Sequence, residues 1–262
     1  MSKFGNVKNI KRLFVCLVIF SLPVQALSSD PKWPVGEELT YKVKWSIFRL
    51  GTLRLKIDDT LRIHDDLVYH VRFIMDSNPL LFFINHHSVF ESYFDDDFNS
   101  SLFRFGEKID GIPYDAEYRF DYSDSLIFVE LTDGKDSTHQ IRSMIPFDES
   151  VYDGTALLYY LRFHAGEMKT DTILYLSNDH IEKAVVRFNH RSHSVSVPSL
   201  NKTLSCYYLD GRIFTKTVAG LTGYFQAWIS ADRQRVPVMA RLKVFIGYVT
   251  IELEKWKMWQ PL

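Results

Sequence analysis

The sequence has little of the residue chemistry that disulfides and covalent catalysis require. Two cysteines occur in 262 residues, Cys16 and Cys206. Because Cys16 lies in an N-terminal segment that we expect to be removed, one cysteine remains, and one cysteine cannot form an internal disulfide. The apolar neighbours of Cys206 in "TLSCYYL" predict a buried, inert thiol rather than a nucleophile.

Signatures of common enzyme families are absent as well. The sequence contains no G-x-S-x-G elbow, no H-E-x-x-H helix, no G-x-G-x-x-G turn and no P-loop. Its paired carboxylates, such as Asp58/Asp59 and Asp148/Glu149, fall in predicted turns, where solvated acids are ordinary. We therefore predict a protein with no catalytic residue and no cofactor.

Candidate metal ligands are few and poorly spaced. Adjacent residues of a strand point to opposite faces, so His86 and His87 cannot both join Glu91 around one ion. The run "DDDFNSS" has acidic residues at the alternating spacing of a calcium loop. Ser100 and Gly106, however, stand where that loop requires glycine and a bidentate glutamate. We predict turns at these positions and no metal site.

A dominant charge of one sign is also lacking, since 31 basic residues face 32 acidic ones. Four of the basic residues lie within the first 12 positions, ahead of an apolar stretch over residues 13–22 and a Val24-Gln25-Ala26 end. This order is typical of a secretory signal peptide. We predict a signal at residues 1–26, with an uncleaved anchor as the alternative, and a single β-rich domain at 27–262. The mature protein would be exported to the periplasm or associated with the outer membrane, with no transmembrane span.

Removal of the signal changes the net charge. It leaves 27 basic residues against 32 acidic ones, a net charge of −5. A mildly acidic surface argues against a nucleic-acid partner, because phosphate backbones are bound by clustered Lys and Arg.

The mature sequence is dominated by alternation of apolar and polar residues. In "LTYKVKW", Leu39, Tyr41, Val43 and Trp45 share one face, which is the pattern of a half-buried strand. A second alternating run follows, and the two predict a hairpin that turns near Gly51. Further strands are predicted at residues 67–75, 88–94, 101–109, 116–122, 125–131, 172–176, 182–188 and 203–209, before a three-stranded C-terminal meander. The charged group in "WISADRQRVPV" falls at the first turn of that meander, so we interpret residues 232–235 as a turn and not as a reactive site.

One segment has helical periodicity instead. "DGTALLYYLRFHAG" predicts a helix over 153–164, with Asp153 as N-cap and Gly166 after its end. The helix is apolar nearly all round, so it must be buried. Arg162 then needs either an exit to solvent or a partner, which would be Asp153, Asp148 or an anionic headgroup at a cavity mouth. Together these elements predict a mostly β protein, in which a long curved antiparallel sheet or open β-barrel wraps around one central α-helix.

Three segments resemble a bacterial envelope family, the domain-of-unknown-function family 3108. They are the start "WPVGEELTY", the helix "YDGTALLYYLRF" and the hairpin "AWISADRQRVPV" with the glycine-turned strand that follows it. The resemblance implies an exported protein without an established activity. The hairpin is also similar, more weakly, to that of periplasmic lipoprotein carriers, which are open β-barrels with an apolar cavity for acyl chains.

From these patterns we predict a non-catalytic envelope protein that binds a hydrophobic ligand between sheet and helix. The ligand would be a lipid, an acyl chain or a lipoprotein segment. An alternative is an assembly or scaffold protein with a solid core, which binds an envelope partner through a strand edge or the apolar patch Leu80–Ile84. A third interpretation, an envelope glycan or lipid hydrolase, requires an acid pair or nucleophile in a cleft. The residues predicted to line the ligand cavity are Trp45, Leu157, Tyr160, Leu161, Arg162 and Trp228.

Overall fold

The alternating pattern predicted from the sequence extends along nearly all of the chain. The computed structural model describes residues 33–63, 66–80, 86–109, 112–133, 140–214 and 221–261. The predicted signal peptide and all but the first residue of the Leu80–Ile84 patch lie outside these described residues. Within them there are fifteen strands, one α-helix and one 3₁₀ turn at Pro198–Leu200. The strands are β1 Glu38–Trp45, β2 Phe48–Ile63, β3 Asp66–Ser77, β4 His86–Phe94, β5 Ser100–Ile109, β6 Ile112–Asp121, β7 Leu126–Asp133, β8 Gln140–Pro146, β9 Val151–Tyr152, β10 Thr170–Ser177, β11 His180–Val197, β12 Lys202–Ile213, β13 Leu221–Ser230, β14 Pro237–Val244 and β15 Tyr248–Lys257, and the helix α1 is Gly154–Phe163.

All fifteen strands belong to one sheet, in the order β8-β7-β6-β5-β4-β3-β2-β1-β15-β14-β13-β12-β11-β10-β9. Every neighbouring pair is antiparallel except β9 and β10. Two consecutive meanders are therefore joined where the first strand pairs with the last, with Val43 opposite Ile251. The predicted mostly β architecture, one long curved sheet that does not close, is confirmed.

The first hairpin differs from its prediction. The chain turns at Ser46 and Ile47, where Ser46 has φ of 54°, and not at Gly51. Gly51 lies within β2, and a Cβ atom at this position would lie 2.3 Å from the carbonyl oxygen of Asp76 on β3. The glycine is therefore needed for close approach of two backbones, a role that sequence alone does not separate from a turn.

The two edges of the sheet, β8 and β9, were not predicted from the sequence. Four residues, 147–150, connect them along the chain. Ile127 of β7 and Ile145 of β8 share one hydrophobic cluster with Val151 of β9 and Leu176 of β10. In the part of the chain that the structure describes, side-chain packing and not a backbone ladder closes the gap between these edges.

Helix α1 lies inside the curved sheet. Ala156 and Tyr159 join the main core, which β1–β4 share with the later strands. Leu157 and Leu161 join a second core with residues of β10–β13. The enclosed central helix is as predicted.

Across the described ranges, no helix has the length and apolar character needed to cross a membrane.

Substitution Gly51→Ala tests the close approach at β2. We expect a loss of about 1–3 kcal/mol in the free energy of unfolding, because a strand backbone must move to admit the methyl group. Urea denaturation followed by tryptophan fluorescence measures it. The matched control is Gly154→Ala, where a new Cβ atom meets nothing within 4 Å. Its free energy of unfolding should stay within about 0.5 kcal/mol of the wild type or rise slightly. Equal losses in the two variants would contradict the steric argument.

Candidate functional site: a buried ion pair and an aromatic cavity

The N-terminus of α1 is fixed by Asp153. Its Oδ1 atom accepts hydrogen bonds from the backbone N–H groups of Thr155 (2.7 Å) and Ala156 (3.0 Å), as an N-cap does. Its Oδ2 atom accepts from the hydroxyls of Ser92 on β4 (2.5 Å) and Ser100 on β5 (2.7 Å). Burial raises the pKa of Asp153, although these hydrogen bonds oppose the shift. The side chain is fully used in positioning the helix against the first meander.

The C-terminal part of α1 is fixed by Arg162. Its Nη1 and Nη2 atoms donate to the two carboxylate oxygens of Glu37, at 2.7 and 2.9 Å. The side chains are 0% and 1% exposed. The guanidinium also lies over the rings of Trp33 and Tyr159, at 4.3 and 4.7 Å from their centroids. Burial lowers the pKa of Arg162, but the charge and hydrogen bonds of Glu37 outweigh it and raise the pKa above its ordinary value.

The partner of Arg162 in the structure differs from those predicted. Glu37, and neither Asp148 nor Asp153, provides the carboxylate. Because the guanidinium is fully buried and donates to Glu37 and to two backbone carbonyls, it forms an internal ion pair and does not face an anionic headgroup at a cavity mouth.

The charged turn after β13 completes the same network. Arg162 donates through Nε to the carbonyl of Arg235 (3.0 Å) and through Nη2 to that of Gln234 (3.1 Å). Asp232 holds these carbonyls in place, since its Oδ1 atom accepts from the backbone N–H groups of Gln234 (2.9 Å) and Arg235 (3.2 Å). Its Oδ2 atom accepts from the indole of Trp259 (2.8 Å), which secures the C-terminal tail. The predicted turn at 232–235 is confirmed, and its Asp232 side chain and two of its backbone carbonyls serve the packing of α1.

An aromatic cavity lies beside the first turns of α1, nearer its N-terminus than Arg162. It has a volume of about 320 Å³ and is bounded by the inner face of β3–β6, the first half of α1 and the β10–β11 turn. Phe90 stands at its centre, with ring centroids 4.9 Å from Phe105 and 5.8 Å from Phe73. The residues that line it are Phe73, Phe90, Phe103, Phe105, Tyr118, Gly154, Thr155, Leu158, Leu176, Ser177 and Asn178.

The cavity is electrically neutral. None of its lining residues is acidic or basic, and burial raises the pKa of Tyr118 to about 12. Its four phenylalanines are only partly buried although they face the interior, so the space between them is not filled by protein. Such a lining suits an apolar group and gives no counter-charge for an ionic one.

The six residues predicted to line a cavity lie elsewhere. Leu157, Tyr160 and Leu161 pack against β10–β13, and Tyr160 donates its hydroxyl to Asp171 (2.7 Å). Trp228 packs against the main core from β13, and Trp45 at the end of β1 is 40% exposed. Arg162 forms the ion pair. None of them lines this cavity, so a contact between these residues and a ligand stays a prediction.

The helix contributes Leu158 to the cavity, one position from the predicted Leu157. Both faces of α1 are apolar, so the sequence alone does not show which face meets a space and which meets a strand. The four phenylalanines of the lining alternate along three predicted strands. That alternation indicated an inward face, but it did not show that the face would be left uncovered.

The residues considered for catalysis or metal binding are used in structure. Cys206 is buried, and burial raises the pKa of its thiol to about 12. His86 contacts Glu107 (3.1 Å), while His87 contacts Asp76 (2.6 Å). Among the described residues, no three potential ligands come together as a metal site would require.

A larger depression, of about 940 Å³, lies on the outer face of β1–β4 and β15, and it is polar. Its carboxylates are paired: Glu254 with Arg49 (2.8 Å), Asp76 with Arg54 (3.1 Å). Hydrogen bonding from Arg49 lowers the pKa of Glu254. A general acid requires the opposite shift, so this pairing is typical of a structural ion-pair surface.

The fold and cavity define a single-sheet, barrel-like β protein with a helix inside. A family model described as "Protein of unknown function (DUF3108)" matches residues 40–254, so the chain belongs to that family. No curated protein matches it.

The solved structures similar to this chain are distant. A β-barrel-like protein of domain-of-unknown-function family DUF1849 from Brucella abortus has a TM-score of 0.54 at 11% identity, covering 86% of this chain and 98% of its own. A candidate lipoprotein from Parabacteroides distasonis has a TM-score of 0.37 at 10% identity, covering 87% and 98%. A candidate exported protein with a YmcC-like fold from Bacteroides fragilis has a TM-score of 0.35 at 11% identity, again covering 87% and 98%. The first supports the barrel-like fold, and the two lower scores add nothing to it.

Replacing one partner of the buried ion pair should cost much more than replacing both. We expect Arg162→Met and Glu37→Met each to lower the free energy of unfolding by about 3–5 kcal/mol, because each leaves a buried charge alone. The double variant should lose less than either single variant, which a double-mutant cycle in urea would measure.

The control for this cycle is the exposed pair Lys257–Glu38, whose atoms are 2.6 Å apart. Lys257→Met should cost less than about 1 kcal/mol. Strict additivity of the two substitutions at Arg162 and Glu37 would contradict the interpretation of the network.

The thiol of Cys206 should be unreactive in the folded protein. In a mature chain beginning at Leu27, we expect no alkylation by iodoacetamide at pH 8 until urea unfolds the protein, because the thiol is buried and protonated. Intact-mass spectrometry counts the adducts. The control carries Cys206→Ser and Ser205→Cys, which moves the thiol one residue to an exposed position of β12 and should react without denaturant. Rapid alkylation of native Cys206 would show that the site is open.

Proposed function

We propose that this protein is a non-catalytic component of the bacterial cell envelope that holds an apolar chain in the aromatic cavity. The observation that carries the proposal is the neutral lining of four phenylalanines, Tyr118 and Leu158 around about 320 Å³ of space. This volume lies at the lower end of the range for small-molecule sites. An acyl chain or an apolar side chain of a lipoprotein segment fits this chemistry.

The envelope location is supported by the basic, apolar and V-x-A order of residues 1–26. Membership of the family is consistent with such a location and adds no activity. A non-catalytic role is supported by the burial of the Cys206 thiol and by the pairing of His86 with Glu107, His87 with Asp76 and Glu254 with Arg49.

The cavity, and not the ion pair, is the part of the interior that can accept a ligand. Around Arg162 the guanidinium is fully buried and donates to Glu37 and to the carbonyls of Gln234 and Arg235. Around Phe90 the aromatic rings face each other across an opening, and Asn178 at the β10–β11 turn is exposed, so that side of the cavity reaches solvent.

A second candidate is the scaffold function, which the open sheet favours. In the described residues β8 pairs with β7 alone, so β8 is an edge strand of the sheet, which is the position where a partner strand could be added. This function needs no cavity, and the experiment below separates the two candidates.

Filling the cavity should abolish ligand binding. We expect Leu158→Trp to weaken uptake of a fluorescent fatty acid by tenfold or more, because the indole occupies the space between the phenylalanines. Fluorescence titration of the mature protein measures the dissociation constant. Native mass spectrometry of protein purified from its own envelope, followed by organic extraction, shows whether a lipid is lost at the same time.

The matched control is Met144→Trp, which adds an indole to the exposed side of β8, at a methionine that is 62% exposed. Its affinity for the probe should equal that of the wild type. Circular dichroism must show that both variants are folded. Equal probe affinity in the wild type and Leu158→Trp would contradict the assignment of the ligand to the cavity, and no uptake by either would favour the scaffold function.

A further inference from the structure

Two hairpin tips lie side by side at one end of the sheet. They are the β1–β2 turn at residues 46–47 and the β14–β15 turn at residues 245–247. Strands β1 and β15 are paired, with Trp45 opposite Val249. The indole of Trp45 also donates to the carbonyl of Ile246, at 2.9 Å, and so connects the two turns directly.

These tips carry apolar side chains where turns are usually polar. Ile47 and Phe245 are each 85% exposed and Ile246 is 76% exposed. None of the three belongs to a hydrophobic core, and the turns themselves depend on the positive φ angles of Ser46 and Gly247. Single exposed apolar residues are ordinary, but a contiguous group marks an interaction surface. The complete group, which we call the tip patch, is Trp45, Ile47, Phe48, Phe245, Ile246 and Tyr248.

Along the strand axis, the side chains change from apolar at the turns to aromatic and then to charged within the strands. At the apices stand the apolar side chains of Ile47, Phe245 and Ile246, with the small hydroxyl of Ser46 beside them. One residue closer to the strands come Trp45 and Tyr248, which are 40% and 37% exposed and carry a polar atom on an aromatic ring. Next come the basic residues that flank the tips, and the segments 44–49 and 243–249 contain no acidic residue. Apolar core, aromatic belt and cations follow the same order across the interface of a lipid bilayer.

The charges beside the tips are largely compensated. Lys44 contacts Glu252 at 2.6 Å and Arg49 contacts Glu254 at 2.8 Å. The attraction to a bilayer would therefore arise mainly from burial of the apolar side chains, and not from anionic headgroups. This distinguishes the tip patch from an electrostatic docking site.

The cavity reaches the surface at the same end of the sheet. The strand pairings place the β10–β11 turn at the end of the sheet that carries the tips. Val244, next to the β14–β15 tip, is opposite Leu221 at the start of β13, and Ile213 at the end of β12 is opposite Ala184 near the start of β11. Ser177 at the end of β10 is opposite His180 at the start of β11. Ser177 belongs to the cavity lining. The end of the barrel that carries the tip patch is thus the end where the cavity opens.

From this arrangement we propose that the tip patch inserts into the surface of a lipid bilayer and thereby places the cavity mouth against the membrane. Docking itself requires only the tip patch. The consequence for ligand transfer rests on the proposed function, so the two are tested separately.

The test is flotation of the mature protein with phosphatidylcholine vesicles, with and without phosphatidylglycerol. Wild type should float with both kinds of vesicle. The double variant Ile47→Glu/Phe245→Glu should bind at least tenfold more weakly to both, because charged side chains replace the two most exposed apolar ones.

The control is Leu67→Glu/Met168→Glu, which has the same added charge at two other apolar residues that are 51% and 81% exposed. It should bind within twofold of the wild type. All four positions are exposed, so unfolding is not expected, and urea midpoints verify it.

A second measurement reports insertion directly. Brominated lipids should quench part of the tryptophan fluorescence of the wild type, and Trp45→Phe should lose that part. Leu158→Trp, which fills the cavity, should still float. A wild type that floats but takes up no fatty acid would count against the proposed ligand and leave docking intact.

Three outcomes would overturn the proposal. They are no flotation of the wild type, equal flotation of the tip variant and the wild type, and flotation confined to anionic vesicles and removed by salt. If the wild type does not float and a protein partner binds through the tip patch, this surface serves protein recognition.

Discussion

The bidentate contact between Arg162 and Glu37 is the interaction on which the rest of the structure depends. It joins the helix to the residue that precedes β1, and through the carbonyls of Gln234 and Arg235 it joins both to the second meander. An ion pair with no exposure to water has a large desolvation cost, which only close geometry and additional hydrogen bonds can offset. That requirement fixes the position and rotation of α1, which in turn determines that Leu158 and not Leu157 faces the space beneath Phe90.

Much of the fold follows from local patterns in the sequence. Alternation of apolar residues indicated most of the strands, and the Asp153 cap with Gly166 bounded the helix to within one residue. The turns at 232–235 and Gly247 followed from residues that favour turn geometry. These features could be predicted because each one depends on residues close together in the chain. Strands β8 and β9 could not, because their sequences alternate weakly and the short parallel contact of β9 depends on distant β10.

Less of the candidate site than of the fold could be predicted from local patterns in the sequence. Glu37 and Arg162 are 125 positions apart, and several other carboxylates are nearer in sequence to the arginine. The three segments that resemble the family meet at this pair and the adjoining turn, so their similarity reflects a structural network. The cavity is an empty space between side chains of different strands, and no pattern in the sequence indicates where such a space remains. Gly51 shows the same limit, since a glycine for close approach and a glycine for a turn look alike.

The order of the strands has a consequence for how the chain reaches its native state. Each meander is assembled from neighbouring hairpins, whereas the β1–β15 pair joins residues more than 200 positions apart, as Trp45 and Val249 do. Long-range pairing of this kind is slow, because a large loop must close before its contacts form. A chain that emerges from its N-terminus exposes β1 first and receives β15 last, so the centre of the sheet is completed at the end of synthesis. Until then one side of β1 is an open edge, and the interval before β15 arrives is when the protein is most exposed to misassembly.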